Sequence, residues 1–431
     1  MQRRSALQLV GALSAAIVTK PSDMLKVLET KYQESLSTLT SLSKVNETVV
    51  VDETFWTQIR QAYSVSQTLI NLNNGGVSPQ PKLVQEAVEY FNRLSNEAPS
   101  FYMWRILDQG REPLRERLAN IAGCSASEIA INRNSSEALE TVIFGLRLKA
   151  GDEVVLTKQD YPNMINAWKQ REHRDGIKLK WVNFDFPINN EQKIVDGFVS
   201  AFGPKTKIVQ ITHMINWNGQ LLPAKKIADA AHERGIEVMI DGAHTFGHIP
   251  FSIPDLGADY FGSSLHKWLS APFGSGLLYV KKDKIKNLYP LLAAANPESE
   301  EITKFENLGT RSFAIEQAIS HAIDFYEMIG AERKFQRLFE LQQYWTKKVE
   351  QHSKIKINHP QDISNSGAIG NVAIVDKKPE DLSNFLYDNY KIHTVAINWE
   401  NINGVRITPN VYTTKKELDK LVKGILAFAN S

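Results

Sequence analysis

The chain has 431 residues, of which 42% are hydrophobic and 23% charged, and its formal net charge is +2. A chain of this length can bury a large core, and we expect two domains. The 50 basic residues nearly balance the 48 acidic ones without a basic block, which argues against nucleic acid as a partner. The single cysteine, Cys124, excludes an internal disulfide and a site built from several cysteines, and we interpret it as a packed thiol.

The first residues have the layout of an export signal. Arg3 and Arg4 precede an apolar run over residues 7–18. This run is too short to anchor the protein in a membrane, and the paired arginines favour the twin-arginine export route. Residues 1–20 are therefore predicted to direct the protein to the periplasm, and residues 21–54 to form a helical linker. The alternative is a short amphipathic helix with two chance arginines, in a protein that stays in the cytoplasm.

The globular part begins near Phe55. Residues 69–76 are typical of a short strand and a turn, and a helix opens after them near Pro81. Two adjacent glycines allow a ligand to approach this turn closely, so the side chain of Asn73 or Asn74 could contact the ligand. A turn without a binding role fits the sequence equally well. A further helix is predicted over residues 111–121.

From residue 128 to residue 280, apolar runs of strand length alternate with stretches of helix length. Strands are predicted at 128–132, 153–157, 179–183, 207–213, 238–241, 260–263 and 276–280, and helices at 135–148, 163–174, 194–201 and 223–234. This alternation predicts an α/β domain with a mostly parallel sheet.

After Thr310 the pattern changes to long amphipathic helices and then to a mixed segment. Helices are predicted at 313–352, 380–390 and 414–429, and strands at 370–375 and 404–408. We assign residues 96–309 to a large domain. Residues 55–95 and 310–431 are assigned to a smaller α+β domain.

Polar side chains follow two of the predicted strands, at the edge where ligands bind in open α/β sheets. Asp241 and His244 follow one strand, and Ser264, His266 and Lys267 follow the next. Burying a lysine there costs desolvation free energy unless the amine is bonded. A Schiff base to an aldehyde cofactor would be such a bond and would make the amine catalytically useful. Asp241 suits a protonated pyridine nitrogen, and His244 could bond a ring hydroxyl. Ser264 and His266 could hold a phosphate.

Other strand ends could complete a site for a flat, phosphorylated ring. Ser135 and Ser136 begin a helix whose free N–H groups could bind phosphate, although they also fit an ordinary helix start. Tyr161 could stack on a ring, and Asn216 could donate to a ring oxygen. No single motif is enough to predict this site, but the residues at several strand ends together fit one flat, phosphorylated ring.

A metal site is the alternative for the same stretch. Asp241, His244 and His248 could be ligands of a metal-dependent hydrolase, if a helix brings the two histidines to one face. Pro250 follows closely, and no third strong ligand is evident. Phosphate-binding loops of nucleotide enzymes and the Gly-x-Ser-x-Gly elbow of hydrolases are missing from the sequence.

Ser264-x-His266-Lys267 after Asp241-x-x-His244 resembles the class V aminotransferase family of pyridoxal phosphate enzymes, which have fold type I. The resemblance extends from about Phe55 to the end of the chain. It implies pyridoxal 5'-phosphate as the cofactor, held on Lys267 by a Schiff base, and a large domain with a mostly parallel seven-stranded sheet. Asp241 would pair with the pyridine nitrogen, and His244 would lie near the ring oxygen.

The resemblance also implies roles for the remaining site residues. Tyr161 takes the ring-stacking position, and Asn216 matches an asparagine of the family. The phosphate would be held by Ser135, Ser136, Ser264 and His266. The segment around Thr310 resembles one that reaches the cofactor phosphate of the neighbouring subunit, which implies a homodimer.

Arg406 lies in a segment that resembles the one whose arginine clamps the substrate carboxylate. A guanidinium fork suits such a carboxylate, and Asn74 is the second residue assigned to substrate binding. A surface ion pair is the alternative for Arg406, but the apolar neighbours Val405 and Ile407 argue against it.

The family includes cysteine desulfurases, which carry a nucleophilic cysteine in a C-terminal loop. Here residues 394–399 contain none, which disfavours that reaction. The turn at 73–76 and the segment 405–412 look closest to the isopenicillin N epimerase-like branch. We therefore expect an aminotransferase or epimerase that acts on the amino group of an amino acid or peptide-like substrate. A desulfurase or lyase-type enzyme of the same family is the first alternative, and a metal-dependent hydrolase is the second.

Overall fold

The computed structural model describes residues 53–431. The predicted export signal and almost all of the predicted linker lie outside the described residues. Within residues 53–431, no helix has both the length and the apolar character that a membrane crossing requires.

Helices and strands alternate along most of the chain. The helices are α1 Glu53–Gln61, α2 Lys82–Glu97, α3 Arg111–Ala122, α4 Ser135–Gly145, α5 Pro162–Asp175, α6 Glu191–Ala201, α7 Ala224–His232, α8 Phe313–Ile329, α9 Ala331–Val349, α10 Pro379–Tyr390 and α11 Lys415–Asn430. The strands are β1 Ile70–Asn71, β2 Ile129–Asn132, β3 Glu153–Thr157, β4 Lys178–Val182, β5 Thr206–Thr212, β6 Glu237–Asp241, β7 Tyr260–Ser264, β8 Gly276–Val280, β9 Ile355–Ile357, β10 Gly370–Ile374, β11 Ile392–His393, β12 Val395–Trp399 and β13 Ile402–Ile407. Short helical turns through residues 99–110 join α2 to α3.

The large domain is built on a seven-stranded sheet with the order β2-β8-β7-β6-β5-β3-β4. All neighbours are parallel except for β8, which runs antiparallel to both β2 and β7. The predicted mostly parallel sheet of seven strands is confirmed. Because β2, β3, β5, β6 and β7 run in the same direction, the residues after their carboxyl ends meet at one edge.

The central strands are apolar on both faces because helices cover both sides of the sheet. All residues of β7 are buried, and in β6 the run Val238–Ile240 is fully buried. The first polar side chain after this run, Asp241, is therefore held where the strand ends, with Gly262 of β7 as its register partner.

The small domain has a four-stranded antiparallel sheet with the order β12-β13-β10-β9. Helices α9, α10 and α11 cover it, and their apolar side chains share one core with the sheet, including Trp345, Leu386, Ile407 and Leu421. β1 pairs in parallel with β11, so the segment around Ile70–Asn71 joins this part of the chain.

α2 and α8 pack against the core of the large domain. The two helices pack on each other, and both contribute to the core of the large domain, α2 through Val84 and Ala87 and α8 through Ile319 and Ile323. Both helices lie in the segments 55–95 and 310–431, whose assignment to the small domain stays a prediction. The sequence shows that these helices have an apolar face, but it does not show which core that face covers.

Candidate active site

Lys267 lies in the turn after β7, at the carboxyl edge of the sheet. Its Nζ is 3.3 Å from Nε2 of His244. Burial lowers the pKa of Lys267 from 10.5 to about 8; the carboxylate of Asp241 works against this shift, and the guanidinium of Arg406 adds to it. A substantial part of this amine is therefore neutral near physiological pH, which is the form that reacts with an aldehyde.

Asp241 ends β6, beside the strand that leads to Lys267. Its side chain is buried, and one carboxylate oxygen accepts the backbone N–H of Ala243 at 2.9 Å. Burial raises the pKa of Asp241, whereas the Ala243 N–H and Lys267 act to lower it. A buried carboxylate in this position is suited to a cationic group on a ligand.

His244 is buried between Lys267 and the indole of Trp268. Its Nδ1 accepts the Nε1–H of Trp268 at 3.3 Å, and its Nε2 faces Lys267. Burial brings the pKa of His244 well below 6.5, and the nearby positive charges of Lys267 and Arg406 lower it further. His244 is therefore a neutral imidazole. Trp268 was not among the predicted site residues.

The geometry of His248 contradicts the metal-hydrolase alternative. Its Nδ1 bonds the carbonyl of His244 at 2.8 Å, and its Nε2 accepts the backbone N–H of Ala368 at 2.9 Å. Both ring nitrogens are therefore occupied, which leaves none for a metal ion. Among residues 53–431, no group of three or more His, Cys, Asp or Glu side chains could hold a metal.

The start of α4 lies against the end of β7. The hydroxyl of Ser264 accepts the backbone N–H of Ser135 at 2.9 Å and donates to the hydroxyl of Ser135 at 2.9 Å. Asn134 caps the helix by accepting the N–H of Glu137. Ser136 is the second residue of this helix and is partly exposed. Hydroxyls at the amino end of a helix fit a phosphate group.

His266 lies beside this helix start and is partly exposed. Its Nδ1 donates to the carbonyl of Ser275 at 3.0 Å, so the neutral ring carries its proton there. A hydrogen bond from Nε2 to a phosphate would therefore need the protonated imidazole. Gly276 keeps β8 close to the same helix start, because a Cβ there would lie 2.6 Å from Cα of Asn134.

Arg406 of β13 reaches from the small domain to the same edge. Its side chain is buried and donates to the carbonyl of Asn216 and to Oδ1 of Asn73, both at 3.0 Å. Burial lowers the pKa of Arg406 to about 10, so the group stays charged at neutral pH. This geometry differs from the surface ion pair that was its alternative.

Two of the residues predicted for the site each have a buried polar atom without a hydrogen-bond partner in the described part of the chain. These atoms are Nε of Arg406 and Oδ1 of Asn216. Buried polar atoms are normally paired, so these atoms fit a site completed by a ligand. A ligand with oxygen and N–H or O–H groups, such as an amino acid on pyridoxal phosphate, offers partners to both.

Asn74 is placed differently from the prediction that it binds substrate. Its amide donates to the carbonyls of Asn71 and Thr408, and its Oδ1 accepts from Asn71 and from the hydroxyl of Tyr412. These bonds use the whole hydrogen-bonding capacity of the amide. The neighbour Asn73, which contacts Arg406, is the better placed of the pair.

Tyr161 and Thr310 have more exposed positions. Tyr161 precedes α5 and is 40% exposed, and it is close enough to Arg406 to act on its pKa. Thr310 is exposed in the loop before α8. A contact between Thr310 and the cofactor of a second subunit stays a prediction.

Comparison with solved structures shows which known proteins share the fold of this chain. An apo cysteine desulfurase from Thermococcus onnurineus aligns with a TM-score of 0.75 and 20% identity, over 86% of this chain and 98% of that chain. A cystine C–S lyase, solved with its product cysteine persulfide, aligns with a TM-score of 0.73 and 21% identity, over 83% of this chain and 97% of that chain.

The family model of class-V aminotransferases matches residues 70–421. The chain therefore belongs to the class-V aminotransferase family, as predicted, and its cofactor is pyridoxal phosphate. The isopenicillin N epimerase of Streptomyces clavuligerus is 25% identical, over 86% of this chain and 97% of its own length. A probable cysteine desulfurase of Halalkalibacterium halodurans is 28% identical, over 83% of this chain and 92% of its own length.

Proposed function

We propose that this enzyme moves a proton at Cα of an amino acid or peptide-like substrate, in an aminotransferase or epimerase reaction. The observation that carries the proposal is the pairing of a depressed-pKa amine with a buried carboxylate: Lys267 and Asp241 leave adjacent strands at one edge of the sheet. When bound, pyridoxal phosphate supplies an aldehyde that captures amines and a ring that withdraws electrons from Cα.

The residues of the chain have separate roles in binding the cofactor and in proton transfer. Asp241 stabilises a proton on the ring nitrogen, because its buried carboxylate is a strong partner for a cation. The start of α4 would hold the phosphate through the positive end of the helix and the hydroxyl of Ser135, which Ser264 positions. Lys267 would hold the cofactor, and its free amine would take the proton from Cα of the substrate. Where that proton returns decides between epimerisation and transamination.

A desulfurase reaction is the less favoured alternative. Cys124 lies before β2, at the edge of the sheet opposite to Lys267, and packs against the core of the large domain. Burial raises the pKa of its thiol to about 12. A thiolate is the nucleophilic form of cysteine, so Cys124 is a poor acceptor of sulfur.

The test is to incubate the cofactor-loaded protein in deuterated water with L-amino acids and short peptides, with and without pyruvate or 2-oxoglutarate. We expect deuterium at Cα, accompanied by inversion or by keto-acid formation, and we expect the Cys124→Ser variant to behave in the same way. Release of sulfide from cysteine that disappears in Cys124→Ser would contradict the proposal. So would a complete lack of exchange at Cα across the panel.

The Arg406→Lys variant is expected to raise KM for the best amino substrate by about 10–100-fold and to change kcat less. The reason is that lysine keeps the charge but loses the planar fork that binds a carboxylate with two N–H groups. Steady-state kinetics would measure both constants. The matched control is Arg60→Lys, which breaks a bidentate pair with Glu417 away from the site and should leave KM unchanged. Equal KM for Arg406→Lys and wild type would remove the proposed role.

We also propose that the protein is a homodimer. Phe101, Trp104 and Phe273 are each more than 40% exposed, and Trp104 packs on Phe313 next to the loop that carries Thr310. Exposed aromatic side chains are enriched at protein–protein interfaces. Sedimentation of the purified protein as a dimer is the expected result, and a monomer at micromolar concentration would contradict it.

A further inference from the structure

Trp268 follows Lys267 directly and is held on three sides. Its ring stacks on His248 with centroids 3.9 Å apart, and its carbonyl accepts a hydrogen bond from the buried Nζ of Lys334. Its indole Nε1 lies 3.3 Å from Nδ1 of His244. With an exposed fraction of 0%, the indole has no bulk water to exchange for this partner.

The hydrogen bond between Trp268 and His244 has a defined direction. An indole Nε1–H can only donate, so Nδ1 of His244 must offer its lone pair. A neutral imidazole with a lone pair on Nδ1 carries its proton on Nε2, which is the nitrogen 3.3 Å from Nζ of Lys267. The tautomer of His244 therefore depends on Trp268.

We propose that Trp268 is a positioning residue that fixes His244 in the tautomer protonated on Nε2, so that an N–H group rather than a lone pair faces the Lys267 amine. The neutral amine can accept this N–H, whereas an ammonium group has no lone pair to accept it. Trp268 thus favours the reactive form of Lys267 through His244. This inference rests on Lys267 being the reactive amine of the proposed function.

The charged groups that face Lys267 act in different directions. Asp241 raises the pKa of Lys267, and burial and Arg406 lower it. The N–H of His244 also acts to lower the pKa of Lys267. If the indole N–H is removed, His244 can move its proton to Nδ1 and present a lone pair that stabilises the ammonium form.

The Trp268→Phe variant isolates this effect, because phenylalanine keeps a ring against His248 and keeps the carbonyl that Lys334 bonds. We expect the pKa of Lys267 in the cofactor-free protein to rise by about one pH unit. This is the shift that corresponds to the free energy of one hydrogen bond to a charged group. The measurement is the rate of reductive methylation of Lys267 as a function of pH, followed by mass spectrometry of its peptide. An unchanged pKa in a folded Trp268→Phe variant would overturn the inference.

A second measurement does not depend on the variant. In ¹⁵N-labelled wild-type protein, the ring nitrogens of His244 should show a proton on Nε2 and a bare Nδ1. A proton on Nδ1 in wild type would overturn the inference even if Trp268→Phe did not fold. Both readouts use the cofactor-free protein, so they are separate from the exchange experiment that tests the proposed function.

Trp345→Phe is the matched control. Trp345 is also fully buried, and its ring lies 5.6 Å from that of His359. Its Nε1, however, has no hydrogen-bond partner in the described part of the chain. Loss of this indole should leave the pKa of Lys267 and the His244 tautomer as in wild type, and a shift equal to that of Trp268→Phe would mean that any core tryptophan has the same effect.

Discussion

Lys267→Ala is expected to lower kcat by about 10²–10⁴-fold, the range that a positioned acid or base contributes. The variant should also lose the covalent attachment of pyridoxal phosphate that borohydride fixes on the wild-type chain. Both losses have one cause, since the same amine holds the cofactor and moves the Cα proton. Kinetics and mass spectrometry of the reduced protein would measure them separately.

Lys304→Met is the control for this prediction. Lys304 is also buried, with a pKa lowered to about 8 by burial, but it donates to the carbonyl of Pro297, away from the site. Its removal should leave kcat and the borohydride adduct intact, with some loss of stability because the carbonyls of Ile285 and Pro297 lose their donor. An adduct on any lysine other than Lys267, or wild-type kcat in Lys267→Ala, would contradict the assignment.

Loss of activity in Lys267→Ala should not come from unfolding. The folded-state pKa of Lys267, about 8, is below its ordinary 10.5, so the ammonium form is penalised in the folded protein. This penalty is present in full below the folded pKa, and it disappears as the pH rises through that value towards 10.5. The cofactor-free variant should therefore be at least as stable as wild type at pH 7. Denaturant unfolding at several pH values would measure the difference.

The strands of the large domain were predictable because each buried strand is a short apolar run that is visible in the local sequence. The predicted strands 153–157 and 276–280 coincide with β3 and β8, since each is an apolar run bounded by glycine or polar residues. The small-domain strands β9 and β12 were missed. β9 has three residues and β12 is only partly buried, so their register depends on pairing with distant residues that a local pattern does not contain.

The site was predictable to the extent that it depends on strand direction. Asp241 and Lys267 come together because two parallel strands end at one edge, and the order of elements is enough to predict this. The roles of Asn73 and Trp268 depend on where side chains point after the domains have packed. Asn73 is distant from Arg406 in sequence and lies on another element, and the direction of the Trp268 indole is set by its stack on His248.

Asp241→Asn is expected to lower kcat by about 10²–10⁴-fold while leaving the turn after β6 intact. Asparagine keeps an oxygen for the Ala243 N–H but cannot neutralise a cationic ring nitrogen, and loss of one partner of a buried ion pair costs about 3–5 kcal/mol. The same variant should lower the pKa of Lys267 below about 8, because Asp241 is the group that raises it. This direction is opposite to that expected for Trp268→Phe.

Asp259→Asn is the control for Asp241→Asn, because Asp259 is a buried carboxylate that accepts a backbone N–H at the same distance, 2.9 Å from Val238, but at the opposite end of the same strands. It should cost stability without changing the pKa of Lys267 or kcat. If Asp241→Asn kept wild-type kcat, the ring nitrogen would have to be held by another group. If it lowered kcat without moving the pKa of Lys267, the carboxylate would serve the cofactor without acting on the amine. The two readouts therefore separate the electrostatic role of Asp241 towards the ligand from its role towards the lysine on the neighbouring strand.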